Sequence, residues 1–265
     1  MGSQSRSSPV RKAALYGDRV VKASLVHYAA GLKQEAHVHE TAQVSVLLAG
    51  SLREVVEARE AVTLRRSSGV KPAGIRHAAE FGPDGALMLS IEMPDTLTLG
   101  ARPPCEWRAM PEGAGLISAI LTRPKCSDAL WDLIAMLRSG DDRVPIGPSP
   151  EARLLKQALD DDPAPVRIEW EARRLGVHRV HLSRSFTAAY GLAPSLYRMR
   201  VMTARALSSG LRHDASLAAV AAESGFADQS HLARTFRREI GAPLSHIRSL
   251  LGQVTSVQGD PDLAP

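Results

Sequence analysis

Apolar positions fall in short runs through the first third of the chain and recur at helical spacing through the rest. Between residues 20 and 93 the β-type runs 44–48, 53–56, 62–64 and 87–91 are separated by Gly, Pro and polar turns. That spacing predicts a small barrel or sandwich of antiparallel strands. Residues 94–112 are rich in Pro and Gly and read as irregular. Beyond them Ser127 can cap a helix whose apolar residues Leu130, Leu133, Ile134 and Leu137 recur at i, i+3, i+4 and i+7, with Gly140 placed to end it. Such a stripe must be buried, either on the β domain or against a second copy in a homodimer. Residues 141–150 (DDRVPIGPSP) have the composition of a linker, and Ser149-Pro150-Glu151 opens a helix with an N-cap followed by Pro at its first position. Everything from there to about residue 251 reads as helices joined by short Gly or Pro turns. The pattern predicts an α+β chain in six parts: a flexible start (1–19), a β domain (20–110), a helical packing or dimerisation segment (111–140), a linker (141–150), an all-α domain (151–255) and a flexible tail (256–265).

No run approaches the roughly 18 apolar residues of a membrane span, and the Ser-rich start has no apolar stretch behind it to serve as a secretory signal. A soluble cytoplasmic protein is expected. Two cysteines, Cys105 and Cys126, are too few and too far apart for a disulfide framework or a thiolate metal site. Charge is uneven along the 265 residues: 151–251 hold 15 Lys and Arg against 10 Asp and Glu, while 1–150 hold 18 against 16. A basic C-terminal half suits a phosphate-backbone partner.

The all-α half repeats itself. His181-Leu182-Ser183-Arg184-Ser185-Phe186 matches His231-Leu232-Ala233-Arg234-Thr235-Phe236 fifty residues on, and Gly191 and Gly241 keep the register. Upstream of each copy an Ala is followed four residues later by a Gly, Ala172 with Gly176 and Ala221 with Gly225. A small side chain where two helices cross, then a residue free to take positive φ, is what a tight helix-turn-helix corner requires. In each copy Leu and Phe lie four apart and share the face to be buried, which turns Arg184 and Arg234 outward. An outward arginine in the middle of such a helix can make a bidentate contact to guanine in the major groove.

The segment GFADQSHLARTFRREIG at 225–241 resembles the signature of the AraC/XylS family of regulators, and LGVHRVHLSRSFTAAYGLAPSLY at 175–197 resembles that family's first helix-turn-helix. The resemblance covers about 151–248 and implies double-stranded DNA as partner, with RNA polymerase as a further one. Carried over by position, it implies base-reading roles for Val180, Ser183 and Arg184 in the first unit and for Gln229, Ser230, His231 and Arg234 in the second. Val180 and Ser183 hydrogen-bond poorly, so the first unit is expected to read through Arg184 and DNA shape. The second copy departs from the pattern in having Pro243 one place early, with Leu244 where Pro194 stands in the first.

In the β half, Gly31, His37, His39, Gln43 and Gly50 fit G-x5-H-x-H-x3-Q-x6-G, and Pro72, Gly74 and His77 fit P-x-G-x2-H. These resemble the two cupin motifs, over about 23–93, and imply a cupin-like β-barrel. Histidines two apart on one strand face the same side, so His37, His39 and His77 converge in the resemblance on the barrel interior, where with Gln43 they would hold a divalent metal or line the pocket of a small-molecule effector. Gln43 stands where cupin enzymes have Glu, and Phe81 where they have Asn; both weaken a metal site. The expected function is a ligand-responsive, DNA-binding transcription regulator and not an enzyme, the competing reading being a metal-dependent cupin enzyme fused to a DNA-binding domain.

Overall fold

A computed structural model describes residues 8–56, 59–63, 66–94, 107–110, 114–123, 127–138, 147–163, 166–212 and 215–252. Both cysteines, the tail from 253 and residues 141–146 of the predicted linker lie outside the described residues. The chain is α+β, with strands first and helices after. The strands are β1 (Val10–Gly17), β2 (Lys22–Tyr28), β3 (Lys33–His37), β4 (Ala42–Val56), β5 (Arg59–Thr63), β6 (Ser67–Lys71), β7 (His77–Met93) and β8 (Arg108–Ala109). They form one antiparallel sheet in the order β1-β2-β7-β4-β6-β8, with β3 on β7 and β5 on β4.

The register gives the two faces of this sheet opposite characters. Lys22 pairs with Glu92, Glu92 with Gln43 and Gln43 with Lys71; one row along, Ser24, Ser90, Ser45 and Gly69 pair in the same sequence. Directly paired residues share a face, so one side of the sheet carries two adjoining polar rows. The alternate residues Ala23, Ile91, Val44 and Val70 form the other side. That face belongs to an extended core with helical residues. The polar side faces the barrel interior and ends in an apolar floor of Leu47, Leu52, Ala79, Phe81, Ala86 and Met88.

Two expectations are corrected here. The runs 44–48 and 53–56 are parts of one strand, β4, bent by register shifts at Leu47/Ala49 and Gly50/Leu52. Gly50 makes the bend feasible: its φ is 81° and a Cβ would sit 1.9 Å from the Gly85 carbonyl oxygen. Residues 10–17, assigned to a flexible start, form β1, held by pairing to β2.

The helices are α1 (Ala114–Thr122), α2 (Ser127–Arg138), α3 (Pro150–Asp161), α4 (Ile168–Arg174), α5 (Arg179–Tyr190), α6 (Pro194–Gly210), α7 (Leu217–Glu223), α8 (Gln229–Ile240) and α9 (Leu244–Gly252). Among the described residues no helix is long and apolar enough to cross a membrane. The α2 stripe Leu130, Leu133, Ile134 and Leu137 is buried in the core shared with the sheet, which removes it as a dimer interface. Helices α3, α4 and α5 enclose a separate core around Leu155, Leu159, Leu182 and Phe186. By contrast Leu232, Phe236 and Ile240 of α8 lie in the same core as the barrel face. The long α6 contributes to both, through Tyr197 to one and Met202, Ala206 and Leu207 to the other.

Candidate nucleic-acid interface and barrel cluster

The two helix pairs α4/α5 and α7/α8 turn their corners with matching bonds. Val177 N–H donates to Ala172 C=O at 3.0 Å, and Phe226 N–H to Ala221 C=O at 2.9 Å. Gly176 and Gly225 take φ of 68° and 81°, the left-handed region that favours glycine. Ala172 and Ala221 are buried at the crossings. Each second helix is capped at its start, α5 by His178 and α8 by Asp228, and ends on a left-handed glycine, Gly191 or Gly241. The Pro243 departure displaces the start of α9, which begins at Leu244 with Pro243 just before it, whereas α6 begins on Pro194 itself.

With Leu182, Phe186, Leu232 and Phe236 buried, the opposite faces are open. On α5, Val180 is 44% exposed, Arg184 is exposed and Ser183 half-buried; on α8, Gln229, Ser230 and Arg234 are exposed. His231 is half-buried, its ring edge-on to Phe226 at 5.2 Å. His181 differs from its counterpart, lying 3.2 Å from Glu151. Arg184 and Arg234 make no ion pair among the described residues.

In the barrel, β3, β7 and the turn after β3 bring His37, His39 and His77 together, with ligand nitrogens all within 4.8 Å of one another. His39 Nε2 and His77 Nε2 are 2.8 Å apart, so one donates to the other. His37 Nδ1 donates to Glu35 C=O at 2.8 Å, which leaves its Nε2 as the free lone pair. Gln43 lines the same cavity, but its Oε1 accepts from Ser45 at 3.3 Å. Phe81 stacks on Tyr28 in the apolar floor, with centroids 3.9 Å apart.

The residues that sequence reasoning missed are Glu54, Lys71 and Trp107. The Glu54 and Lys71 side chains are only 3% and 4% exposed, and they pair at 3.3 Å. Glu54 Oε1 also lies 3.1 Å from His77 Nδ1, while Trp107 Nε1 donates to Oε2 at 2.8 Å. Lys71 Nζ donates to Ser45 Oγ at 2.9 Å. A polar chain thus runs from Gln43 through Ser45, Lys71 and Glu54 to His77 and His39. Trp107 covers it by packing on Gly69, where a Cβ would lie 2.8 Å from the indole. Burial by itself would raise the Glu54 carboxyl; Lys71, the nearby His77 and the bond from Trp107 outweigh it and hold the group down at about 2. Burial pushes His77 down to about 4 despite Glu54, and burial with the Arg11 charge does the same to His27 on the other face of the sheet.

These two histidines set an acid response. The unfolded chain protonates near 6.5 and the folded chain only near 4, so stability present above 6.5 is lost as pH falls towards 4. Each site is worth on the order of 2–3 kcal/mol over that window. Urea unfolding followed from pH 7 to 5 is expected to show a slope that steepens as pH falls, the two histidines together approaching two protons near pH 5, and to lose about one of these in His27→Gln. An unchanged slope in that variant would disprove the assignment.

A family model described as a helix-turn-helix domain matches residues 172–249. The HTH-type transcriptional regulator RipA of Corynebacterium glutamicum is 40% identical over 107 residues, 38% of this chain; the chain spans 31% of that relative's length. Among solved structures, the C-terminal domain of AraT, a response regulator from Geobacillus stearothermophilus, is 20% identical and covers 42% of this chain and 93% of its own, with a TM-score of 0.38. ToxT from Vibrio cholerae is 12% identical and covers 89% of this chain and 100% of its own, with a TM-score of 0.39. A cupin superfamily protein from Desulfitobacterium hafniense is 19% identical over 36% of this chain and 84% of its own, with a TM-score of 0.31. The chain carries a helix-turn-helix domain at residues 172–249, behind an antiparallel β domain.

Proposed function

We propose that this chain is a DNA-binding transcription regulator whose α5 and α8 enter successive major grooves and whose barrel receives a small effector. The observation that carries the reading is the pair of matched corners, each presenting an exposed arginine from the middle of its second helix. Val180, Ser183 and Arg184 are assigned to one groove and Gln229, Ser230, His231 and Arg234 to the next. Residues 151–252 form the reader, and the barrel from residue 10 forms the sensor. We place the protein in the cytoplasm, with a homodimer and RNA polymerase as its further partners.

His37, His39, Gln43 and His77, with Ser45, Lys71 and Glu54, line the effector pocket. Its mixture of hydroxyl, ammonium, carboxylate and imidazole groups suits a small polar molecule. The three imidazoles fit a divalent ion by nitrogen number and spacing, and such an ion would supply a Lewis-acid anchor for the effector. A sensor is favoured over a metal-dependent enzyme by one feature of the cluster. Its carboxylate, Glu54, is already engaged by Lys71 and Trp107, and neither Gln43 nor Phe81 replaces the acid and amide of the enzyme pattern.

Footprinting of the full chain on the region upstream of its own gene tests the DNA reading. Two protected blocks one helical turn, about 34 Å, apart are expected. Arg184→Ala and Arg234→Ala should each cost roughly 1–3 kcal/mol, and each should relax preference at a guanine in its own block. A single block untouched by both substitutions would show that these helices are not the readers.

A further inference from the structure

The shared core joins α8, but not α5, to the barrel, and one side chain of the barrel reaches into the end of that helix. Arg66, in the turn before β6, donates from Nη2 to the Glu239 carbonyl in the last turn of α8. A carbonyl in that turn has no partner within the helix, and a cation there also complements the helix dipole. The Glu239 carboxylate is only 10% exposed and lies 3.6 Å from Arg200 Nε of α6 and 3.1 Å from Arg238 Nε. Two buried or half-buried guanidinium groups, from the barrel and from α6, therefore meet at one residue of the second recognition helix. The first unit lacks the carboxylate: Ala189 of α5 stands at the place of Glu239, two residues before its capping glycine.

Arg66 is also one end of a short rigid element. All five residues of β6 are buried, and the strand is paired to β4 along its whole length. Its far end is Lys71, whose ammonium binds Ser45 and Glu54 in the polar chain that reaches His77. The Arg66 carbonyl accepts from Met110 N–H at 3.2 Å, just past β8 and near Trp107, which donates to the same Glu54. A change in the cluster that shifts the Lys71 backbone is carried along β6 or strains its ladder with β4.

We propose that Arg66 is a positioning residue for the second DNA-reading helix, and that β6 links the barrel cluster at Lys71 to the C-terminal turn of α8. The proposal rests on the reading of α5 and α8 as the two DNA readers. It makes the readers unequal: the second is set by the state of the barrel, while the first is mounted on a separate core.

Two measurements on the full chain test it. In footprints, Arg66→Gln should weaken protection of the block that Arg234→Ala identifies by tenfold or more and leave the Arg184 block within twofold. Arg66→Lys, which keeps the charge, should restore at least part of that protection. In hydrogen exchange without DNA, the amides of the last turn of α8 should exchange several-fold faster in both Arg66→Gln and Lys71→Met. The last turn of α5 should not change, and α9, in the same core as α8, serves as the internal reference for any general loss of stability in Lys71→Met. Equal weakening of both blocks, or an α8 turn whose exchange is unmoved relative to α9, would overturn the proposal. If the wild-type chain gives no footprint at all, the DNA reading falls, and the exchange of α8 still decides whether the barrel holds that helix.

Discussion

Phe236→Ala is expected to lower the unfolding free energy of the whole chain, and Phe186→Ala that of the first helix-turn-helix unit alone. Both rings are fully buried, and removing a buried Phe side chain costs about 3–5 kcal/mol through lost transfer energy and the cavity left behind. They differ in what surrounds them. Phe236 lies in a core continuous from β2, β4 and β7 through α1 and α2 to α8 and α9; Phe186 packs with Leu155, Leu159, Leu182 and Tyr197 in a core that shares no residue with it. The fluorescence of Trp170, exposed on α4 beneath the Arg167 guanidinium, separates the two. Urea unfolding should be a single transition in Phe236→Ala, shifted to lower denaturant. In Phe186→Ala it should divide, with an early step that disappears when Trp170→Phe is added. Were Phe186→Ala to shift every signal together, α6 would have to couple the two cores into one cooperative unit.

The second large effect is expected at the ion pair inside the barrel. Lys71→Met leaves the Glu54 carboxylate buried without its cation and should destabilise the chain by about 3–5 kcal/mol at pH 7. The loss should shrink as pH falls and the stranded carboxyl protonates, because Lys71 is the principal charge that holds Glu54 down. Glu54→Gln added to Lys71→Met should recover much of the loss, since removing both charges ends the desolvation cost that removing one exposes. A double variant that loses the sum of the two single effects would mean that the groups act independently, contrary to their 3.3 Å separation.

The helix-turn-helix units were legible because their determinants are local. The Ala and Gly of each corner, the Leu–Phe face and the capping glycine all lie within about twenty residues, and the repetition at offset fifty distinguishes a built motif from a chance amphipathic helix. The three histidines were legible for a similar reason, two being only two residues apart in sequence, although His39 lies past the end of β3 and not on the strand with His37 as the pattern implied. Glu54, Lys71 and Trp107 were not. Each comes from a different strand or connection, and the pairing of β6 with both β4 and β8 brings them together. The long strands also misled: Gly50 reads as a stop, yet in a bulge it is what lets β4 continue. The α2 stripe showed that something had to cover it, but periodicity carries no information on whether the cover is the same chain or another.

The register of the sheet has a consequence for how such a protein can diversify. Along β2, β4 and β7, successive residues serve different ends: Ser24, Gln43, Ser45 and Ser90 face the interior, while Ala23, Leu25, Val44 and Leu89 carry the helices. Substitutions at every second position can therefore alter what the barrel accepts with little effect on the seat of α8 and α9. Exchanging one interior serine for another small residue leaves the mounting chemistry of its neighbours intact. On the proposed function, a lineage with this arrangement can acquire a new effector while keeping its DNA site, and can drift in DNA site while keeping its effector. The exception is β6, where interior and mounting meet in five residues; there the two histories would have to change together.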